Sequence, residues 1–467
     1  MPRIGSGSSV GARDRDHHVS EVDAVRAGSA GSRAKDAACI AVLVLLAGLI
    51  TVLGVVRAPS LSAYDEATHI DYVWNVAHGE FPAAGSELAQ EVRDEWSCRS
   101  QDNARNLLPP CGQSEPADQY PNRGENYNYK HPPLYYGVTA AVVRVVEATP
   151  LDLSFITVAR LTGAAWLAAA LVVLYLVLRV WSVPRMLALS AGLLLASVPS
   201  VAHSSSIVTN DAPAALSGVL ALWVLTRVVV SKRLGWLAPS IAAFGVAATK
   251  IMTSIAMLSV AAVLASLAIV AIRRGRRSHA LRLGGIVDGI VGATAAVYVG
   301  WKLFQSGRGL EGWRSPVLGI NTSPVNGMPW DEWFPTLASG FGIAGDYWLQ
   351  DALRSVAIVG AVKALTVAFT AAPFMAISAF EPDDPPRLLG WASLIGAASM
   401  PLIVQVHNYI CTDYYFRHVT GRYGLSLLPL IIAALAMVVN AKRWRWAYYL
   451  LALGATAILL LSFSGVF

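Results

Sequence analysis

The sequence predicts an all-α polytopic membrane protein with a bundle of about 11 transmembrane helices, and its composition and apolar runs carry that prediction. Hydrophobic residues make up 55% of the 467 positions and charged residues only 14%, and the mean hydropathy is +0.50. A soluble chain of this length would be far more polar. Apolar runs such as 37–56, 254–272 and 446–463 have the length that a helix needs to cross a bilayer. Lipid offers the backbone no hydrogen-bond partner, so these runs are expected to be helical.

The first 36 residues differ from the rest of the chain. They are rich in Gly, Ser, Ala and Arg and are predicted to form a disordered cytoplasmic tail, followed by one transmembrane domain over 37–464. The tail is too long and too polar for a signal peptide, so the first apolar run is expected to stay as a membrane anchor. The net charge of +6 does not indicate nucleic-acid binding, because the basic residues form short clusters beside apolar runs.

Those basic clusters predict the orientation, since Lys and Arg concentrate in cytoplasmic loops. Arg26, Arg33 and Lys35 place the N-terminus in the cytoplasm, and clusters at 232–233, 273–277 and 442–445 mark later cytoplasmic turns. All agree with one orientation if segment 133–146 lies in the membrane interface instead of crossing it, as segment 64–78 is also expected to do. The second span is then expected near 155–180, and the third is expected to end near residue 199. The remaining spans are expected near 212–230, 236–249, 251–272, 284–303, 352–379, 388–406, 424–440 and 446–464.

This threading places two large loops on the exterior face, 58–154 with its interfacial helices and 304–351. The first loop contains Cys98 and Cys111, and a disulfide and two free thiols are both compatible with the sequence. The second contains four tryptophans, which suit either sugar stacking or a membrane interface. No site is based on them: Trp313, Trp330, Trp333 and Trp348.

The first interfacial helix carries a candidate acid-base group. Asp65, His69 and Tyr72 are spaced i, i+4, i+7 and share one helix face, and Glu66 begins the next face. An ionised carboxylate with His and Tyr beside it can take a proton from a hydroxyl nucleophile. The structural alternative is a charge that stabilises the helix N-terminus.

Two further motifs have residues that suit a ligand. The first lies in the first loop and suits a phosphate, and the second lies before a later span and suits a sugar. Lys130 and His131 precede two prolines that begin the second interfacial helix, where a cation and backbone N–H groups suit a phosphate. A membrane-interface anchor is the alternative. Asp211, in Asn-Asp-Ala-Pro, is expected to cap the following helix, which does not exclude a contact with a sugar hydroxyl.

Two further basic residues lie where a charge needs an explanation. Lys250 interrupts an apolar stretch, which is costly unless the ammonium is paired or reaches the membrane surface. Arg422, followed by Tyr423, lies against the positive-inside trend. Its guanidinium suits a bidentate contact with either a phosphate or an exterior carboxylate.

Taken in order, these motifs resemble the GT-C glycosyltransferases, in particular the branch of protein O-mannosyltransferases and aminoarabinose transferases. The series comprises Asp65-Glu66, then Lys-His-Pro-Pro-Leu, Asn-Asp-Ala-Pro, an intramembrane Lys and a late Gly-Arg-Tyr. The resemblance covers roughly residues 38–440 and implies a GT-C-like bundle. It also implies a polyprenyl-phosphate-linked sugar donor, with the bilayer as the medium through which that donor arrives.

The resemblance implies a role for each matching residue. Asp65 matches the proposed base and Glu66 the second acid of the pair. Lys130 matches the residue that contacts the lipid phosphate, although His131 beside it is equally placed to do so. Lys250 and Arg422 match later phosphate-binding residues, Asp211 matches an acid facing the same cavity, and neighbouring side chains are expected to bind substrate: His69, Tyr72 and Tyr423.

The expected function is therefore an inverting glycosyltransferase of the plasma membrane that acts at its exterior face on a glycan, lipid or protein acceptor. No metal is required by this chemistry, although Asp65, Glu66 and Asp211 could bind a divalent cation as some GT-C enzymes do. A transporter or flippase of lipid-linked saccharides is one alternative. A noncatalytic cell-envelope assembly protein is the other.

Overall fold

The computed structural model describes residues 13–101, 107–320, 322–325, 337, 339–340, 342–343, 356–417 and 419–464, with side chains described within 33–463. Two short strands, β1 (Thr322–Pro324) and β2 (Tyr414–Phe416), pair antiparallel. Almost everything else that is regular is helical. The α-helices are α1 Arg13–Arg57, α2 Glu66–Ala77, α3 Gln90–Arg99, α4 Leu134–Glu147, α5 Phe155–Leu161, α6 Gly163–Val180, α7 Arg185–Ala196, α8 Pro199–Ser204, α9 Ala214–Val229, α10 Leu237–Thr249, α11 Ser254–Arg273, α12 Arg277–Gln305, α13 Val356–Ala379, α14 Pro385–Thr412, α15 Leu428–Ala441 and α16 Arg445–Ser464.

Eight helical segments within the described residues are long and apolar enough to cross a membrane, by length and composition. The prediction of an all-α polytopic membrane protein is confirmed. Three shorter apolar helices, α7, α9 and α10, coincide with the remaining expected spans, so the number eleven stays a prediction. The eight segments are Arg33–Arg57, Phe155–Val180, Ile251–Arg273, Arg277–Gln305, Val356–Ala379, Pro385–Thr412, Gly421–Ala441 and Arg445–Phe463.

Some sequence expectations concern residues outside the described set. Helix α1 begins at Arg13, inside the segment expected to be a disordered tail, while residues 1–12 lie outside the described residues. The tail boundary at residue 36 stays a prediction. Of the tryptophans in the second loop, Trp330, Trp333 and Trp348 also lie outside the described residues.

The centre of the bundle is the segment that ends in α15. Within Gly421–Ala441, an apolar stretch of 18 residues is 89% buried inside the protein, whereas the corresponding stretch of Arg277–Gln305 is only 28% buried. Helices α7, α9, α13 and α14 pack around α15. A helix that is apolar on all sides and buried on all sides is expected at the middle of a bundle, and it fixes the position of the residues just before it.

The chain reverses direction at Lys250, in a very short turn between α10 and α11. Helix α10 ends at Thr249, Lys250 is extended with φ −163°, and a 3-10 turn at Ile251–Thr253 leads into α11. The Thr253 hydroxyl donates to the Lys250 carbonyl at 2.8 Å and closes the turn. The backbone therefore presents the Lys250 side chain at one end of the bundle.

The first loop folds on a small core of its own, and we call the end of the bundle that carries it the loop end. Its core contains Leu61, Tyr72, Trp96 and Tyr135, among others. A disulfide joins Cys98 and Cys111, which settles the choice that the sequence left open. The loop is therefore a folded cover on the bundle.

The two helices expected in the membrane interface differ in exposure. Helix α4 buries Tyr135, Tyr136 and Val143 and exposes an apolar stripe that includes Val142 at 40% and Val145 at 68%. An apolar stripe of this kind is what an interfacial helix presents to lipid. Helix α2 is instead buried from Glu66 to Val73 and packs on α4. Its first two turns are therefore covered by protein.

The beginning of the second loop fastens onto the first. Arg308 donates to the Phe81 carbonyl at 3.0 Å, and the Leu310 amide donates to the Ala84 carbonyl at 2.9 Å. The Trp313 indole N–H donates to Glu125 at 2.6 Å. The described beginning of the second loop, 304–320, is therefore joined to the first loop at the loop end.

Candidate active site

Four ionisable residues converge at the loop end because each lies where a helix begins. Asp65 directly precedes α2, Asp211 lies just before α9, Lys250 lies in the turn before α11, and Arg422 lies in the 3-10 turn Gly421–Leu427 before α15. Their separations in sequence are large, but helices that start at one end of a bundle bring their first residues together. We call these four residues the charged cluster.

Opposite charges alternate through the charged cluster. The Arg422 guanidinium donates to Asp65 Oδ2 at 3.1 Å, and its other terminal nitrogen lies 3.9 Å from Asp211 Oδ2. Lys250 Nζ donates to the second oxygen of Asp211 at 2.5 Å. The Lys250 and Asp211 side chains are only 5% and 6% exposed, whereas Asp65 is 28% exposed. Asp65 is therefore the carboxylate that solvent, or a substrate, reaches.

Aromatic rings surround the cations of the charged cluster. The Arg422 guanidinium lies 4.5 Å from the centre of the Tyr64 ring and 5.6 Å from that of Tyr423. Lys250 Nζ lies 5.6 Å from the same Tyr423 ring. Cations are attracted to aromatic faces, so Tyr423, a predicted substrate-binding residue, holds both cations in place.

Asp65 is kept ionised by its neighbours. Burial on its own would raise the pKa of Asp65, but the Arg422 guanidinium and a hydrogen bond from Tyr127 (Oη to Oδ1, 2.9 Å) bring it below its ordinary value. An ionised carboxylate is the form that accepts a proton. Tyr127 was not singled out in the sequence, although its place in the run Asn-Tyr-Asn-Tyr just before Lys130 was a usable signal.

The backbone of Asp65 is left-handed, with φ 58° and ψ 18°. Among residues with a side chain, Asp and Asn adopt this region most readily. The Thr68 hydroxyl donates to the Asp65 carbonyl at 2.7 Å, and Asn128 donates to that hydroxyl at 2.7 Å. The conformation is thus held from both ends of the first loop.

Glu66 lies beside Asp65 in sequence but in a different environment. Arg160 donates to both of its carboxylate oxygens at 2.8 Å, and the amides of Ser62 and Val208 donate at 2.7 and 2.9 Å. The Glu66 and Arg160 side chains are 0% and 1% exposed. Both oxygens are therefore occupied by the protein itself. Arg160 was missed in the sequence, although an Arg at the start of an apolar span is a recognisable signal.

The other predicted residues of α2 join an aromatic stack. The Tyr72 and Tyr136 rings are parallel with centres 3.7 Å apart, and His69 Nδ1 lies 2.8 Å from the Tyr136 hydroxyl. The Tyr72 hydroxyl donates to the His131 carbonyl at 2.9 Å. Burial lowers the pKa of His69 to about 4. His69 is therefore neutral at pH 7, and Tyr72 fixes the turn that carries Lys130 and His131.

Lys130 differs from the other cations near Asp65. Its side chain is exposed, and its ammonium has no hydrogen-bond or ion-pair partner within the described part of the chain. The surrounding protein lowers the pKa of Lys130, and the Asp65 carboxylate partly offsets that effect. His131, half-buried, packs its ring 6.2 Å from that of His69. Lys130 is thus available for an anionic ligand beside the charged cluster.

The three carboxylates considered for a divalent cation, Asp65, Glu66 and Asp211, are each paired with a cationic side chain of the protein. Within the described residues, no three or more His, Cys, Asp or Glu side chains are grouped so as to hold a metal ion. Glu66, one of three carboxylates considered for that role, has both oxygens engaged by Arg160.

Comparison with known proteins finds a similarity to one family over a part of the chain that includes some residues of this site. Residues 130–299 match the family model of dolichyl-phosphate-mannose-protein mannosyltransferases, less than half of the chain. The matched range contains Lys130, Asp211 and Lys250, while Asp65 and Arg422 lie outside it. Among curated proteins, none matches the chain. The resemblance that the sequence motifs indicated is thereby confirmed over residues 130–299, and the chain is a multi-pass membrane protein similar to this family of glycosyltransferases.

Proposed function

We propose that the protein is an inverting glycosyltransferase of the plasma membrane, with its N-terminus in the cytoplasm and the loop end at the exterior face. It moves a sugar from a polyprenyl-phosphate donor to a hydroxyl group of a glycan, lipid or protein. The observation that carries this proposal is the charged cluster, in which an ionised, accessible Asp65 lies beside Arg422. The family match over residues 130–299 supports glycosyl transfer as the reaction class.

The donor phosphate binds to the cations of the site. Lys130 receives it first, because its ammonium is exposed and has no partner in the described structure. Lys250 and Arg422 are held by carboxylates, so the phosphate shares them with Asp211 and Asp65. Positive charges placed around a departing phosphate stabilise the charge that develops on it.

Asp65 is the base. It removes the proton of the acceptor hydroxyl as that oxygen forms a bond to the anomeric carbon. The bond from the anomeric carbon to the phosphate oxygen breaks, and its electron pair leaves with the polyprenyl phosphate. Attack opposite the leaving group inverts the anomeric centre, as in inverting glycosidases. When the phosphate shares Arg422, its negative charge weakens the pKa-lowering effect of that guanidinium on Asp65. The pKa of Asp65 therefore rises and the carboxylate becomes a stronger base.

Glu66 is assigned a different role from the one first expected of the Asp-Glu pair. Its buried pair with Arg160 fixes the start of α2 and therefore the position of Asp65. Glu66 is a positioning residue in this proposal.

The test compares Asp65→Asn with the wild type in isolated membranes, with labelled polyprenyl-phosphate mannose and polyprenyl-phosphate arabinose as donors. Asn tolerates the left-handed backbone, so the variant is expected to fold. We expect transfer to fall by about 100-fold or more, the contribution of a general base.

Asp118→Asn, at an exposed carboxylate of the same loop, is the matched control. Equal donor-dependent transfer by Asp65→Asn and wild type contradicts the assignment, and donor uptake into liposomes without transfer favours a flippase.

A further inference from the structure

A recess lies at the end of the bundle away from the loop end. Helices α9 and α11 begin near Asp211 and Lys250, so their last turns lie at the opposite end. There they form a recess of about 240 Å³ with the beginnings of α12 and α14. None of the residues proposed above for glycosyl transfer lines it.

The recess combines basic groups with an apolar wall. Its basic residues come from the turn after α9, the turn after α11 and the first turn of α12: Lys232, Arg274, Arg276 and His279. Leu267, Val270 and Leu283 form part of its apolar wall, and Val270 is 38% exposed. The recess is therefore suited to a molecule with both an anionic and an apolar part.

The positive charge of the recess is largely uncompensated. Asp383 is the acid that lines it, lies 3.8 Å from Arg274 and is 81% exposed. Exposed pairs of this kind are weak. Within the described residues, the side chains of Lys232, Arg276 and His279 make no ion pair or hydrogen bond.

Basic residues at this end also set membrane topology, but topology requires only their number on one face. It does not require that charges from several elements surround one recess with apolar walls. The basic segment 442–445 illustrates the difference. It brings Lys442, Arg443 and Arg445 to the same end of the bundle, because α15 begins beside Arg422, and none of the three lines the recess.

We propose that this recess binds an anionic phospholipid, with the phosphodiester among Lys232, Arg274 and Arg276 and part of an acyl chain along Leu267 and Val270. Basic pockets between transmembrane helices are suited to anionic headgroups. The apolar wall favours a lipid over a free phosphate ion, because only the lipid buries apolar surface there. This site is independent of glycosyl transfer.

The experiment measures lipid binding by native mass spectrometry of the full chain in a neutral detergent, titrated with phosphatidylglycerol or phosphatidylcholine. The recess variant is Lys232→Gln/Arg274→Gln/Arg276→Gln. Each basic residue near a membrane surface changes the affinity for an anionic lipid about fivefold. The recess variant, which lacks three such residues, should therefore bind phosphatidylglycerol about a hundredfold more weakly. The control Lys442→Gln/Arg443→Gln/Arg445→Gln removes the same charge from the same end and should change binding by less than about threefold.

A second variant tests the apolar wall with every charge kept. Val270→Trp narrows the recess from a partly exposed position and should weaken phosphatidylglycerol binding, while millimolar inorganic phosphate should not displace the lipid. Equal loss in the recess and control triples would show a general surface charge and overturn the proposal. Equal binding of the two lipids, full binding by Val270→Trp, or displacement by inorganic phosphate would overturn it as well.

Discussion

Arg422 is the residue on which the chemistry of the charged cluster depends most. It contacts Asp65 at 3.1 Å and approaches Asp211 at 3.9 Å, and it is only 15% exposed. It opposes the effect of burial on Asp65 and keeps that carboxylate ionised. In the proposed mechanism one guanidinium therefore prepares the base and also binds the donor phosphate.

This dual role predicts a change in the pH dependence of transfer. The pKa of Asp65 is lowered in the folded protein, so wild-type activity should persist as the pH falls through the ordinary range of a carboxylate. Arg422→Gln leaves the effect of burial unopposed, which raises the Asp65 pKa and moves the acid limb of kcat/KM toward neutral pH. The maximal rate should also fall by about 100-fold.

Two further variants sharpen that measurement of the pH profile. Tyr127→Phe removes one hydrogen bond from Asp65 and should shift the acid limb in the same direction by less. Arg99→Gln, which breaks an exposed pair with Glu95, should leave the profile unchanged. An acid limb that stays in place in Arg422→Gln would show that another group is the base.

The sequence indicated the members of the charged cluster but not their pairing. Each of its four residues was a candidate because of the motif around it in the sequence: Asp65, Asp211, Lys250 and Arg422. Which carboxylate meets which cation depends on contacts between segments far apart in the chain, and no local pattern contains that information. For the same reason the Arg160 partner of Glu66 was not found.

At the scale of elements, Glu66 and Arg160 connect the start of α2 to α5 through a fully buried ion pair. Removing one partner of such a pair leaves the other charge buried without compensation, which typically costs about 3–5 kcal/mol. Glu66→Gln should therefore lower the midpoint of thermal unfolding in detergent by several degrees. Glu95→Gln, in an exposed pair with Arg99, should cost less than about 1 kcal/mol.

The same variant separates the two roles considered for Glu66. If it positions α2, transfer should fall in step with stability and recover partly when the assay is run at lower temperature. If Glu66→Gln retained the wild-type midpoint but abolished transfer, its role would be catalytic, and our assignment of it as a positioning residue would be wrong.

The helical elements follow from the sequence more closely than the site does. Apolar runs fix where long helices lie, and two prolines mark the beginning of α4. The burial of α2 could not be read in the same way, since its residues carry no continuous apolar face. It is covered because the first loop folds back over it, which is a tertiary effect.

At the scale of the molecule, the direction of the helices predicts which end meets the cytoplasm. Helices α9, α11 and α15 run from the charged cluster toward the basic turns at 230–236, 274–276 and 442–444. The positive-inside rule places those turns in the cytoplasm. A disulfide in the loop at the other end agrees with an oxidising exterior.

Labelling of a single free thiol, with the disulfide between Cys98 and Cys111 kept, checks that orientation. In a chain with Cys39→Ser and Cys411→Ser, Asp118→Cys should react with a membrane-impermeant maleimide in intact cells. Lys442→Cys should react only after the membrane is permeabilised. Both positions are exposed, so their reactivity reports sidedness. The reverse pattern would place the charged cluster in the cytoplasm.

The contact between Asp65 and Arg422 joins residues that are 357 positions apart, and this has a consequence for biogenesis. At ribosomal rates of about 5–20 residues per second, Arg422 emerges tens of seconds after Asp65. During that interval Asp65 lacks the cation that later neutralises it. A nascent chain that has inserted the helices before Arg422 therefore still has no complete site, and donor binding becomes possible only once Arg422 has emerged and reached Asp65.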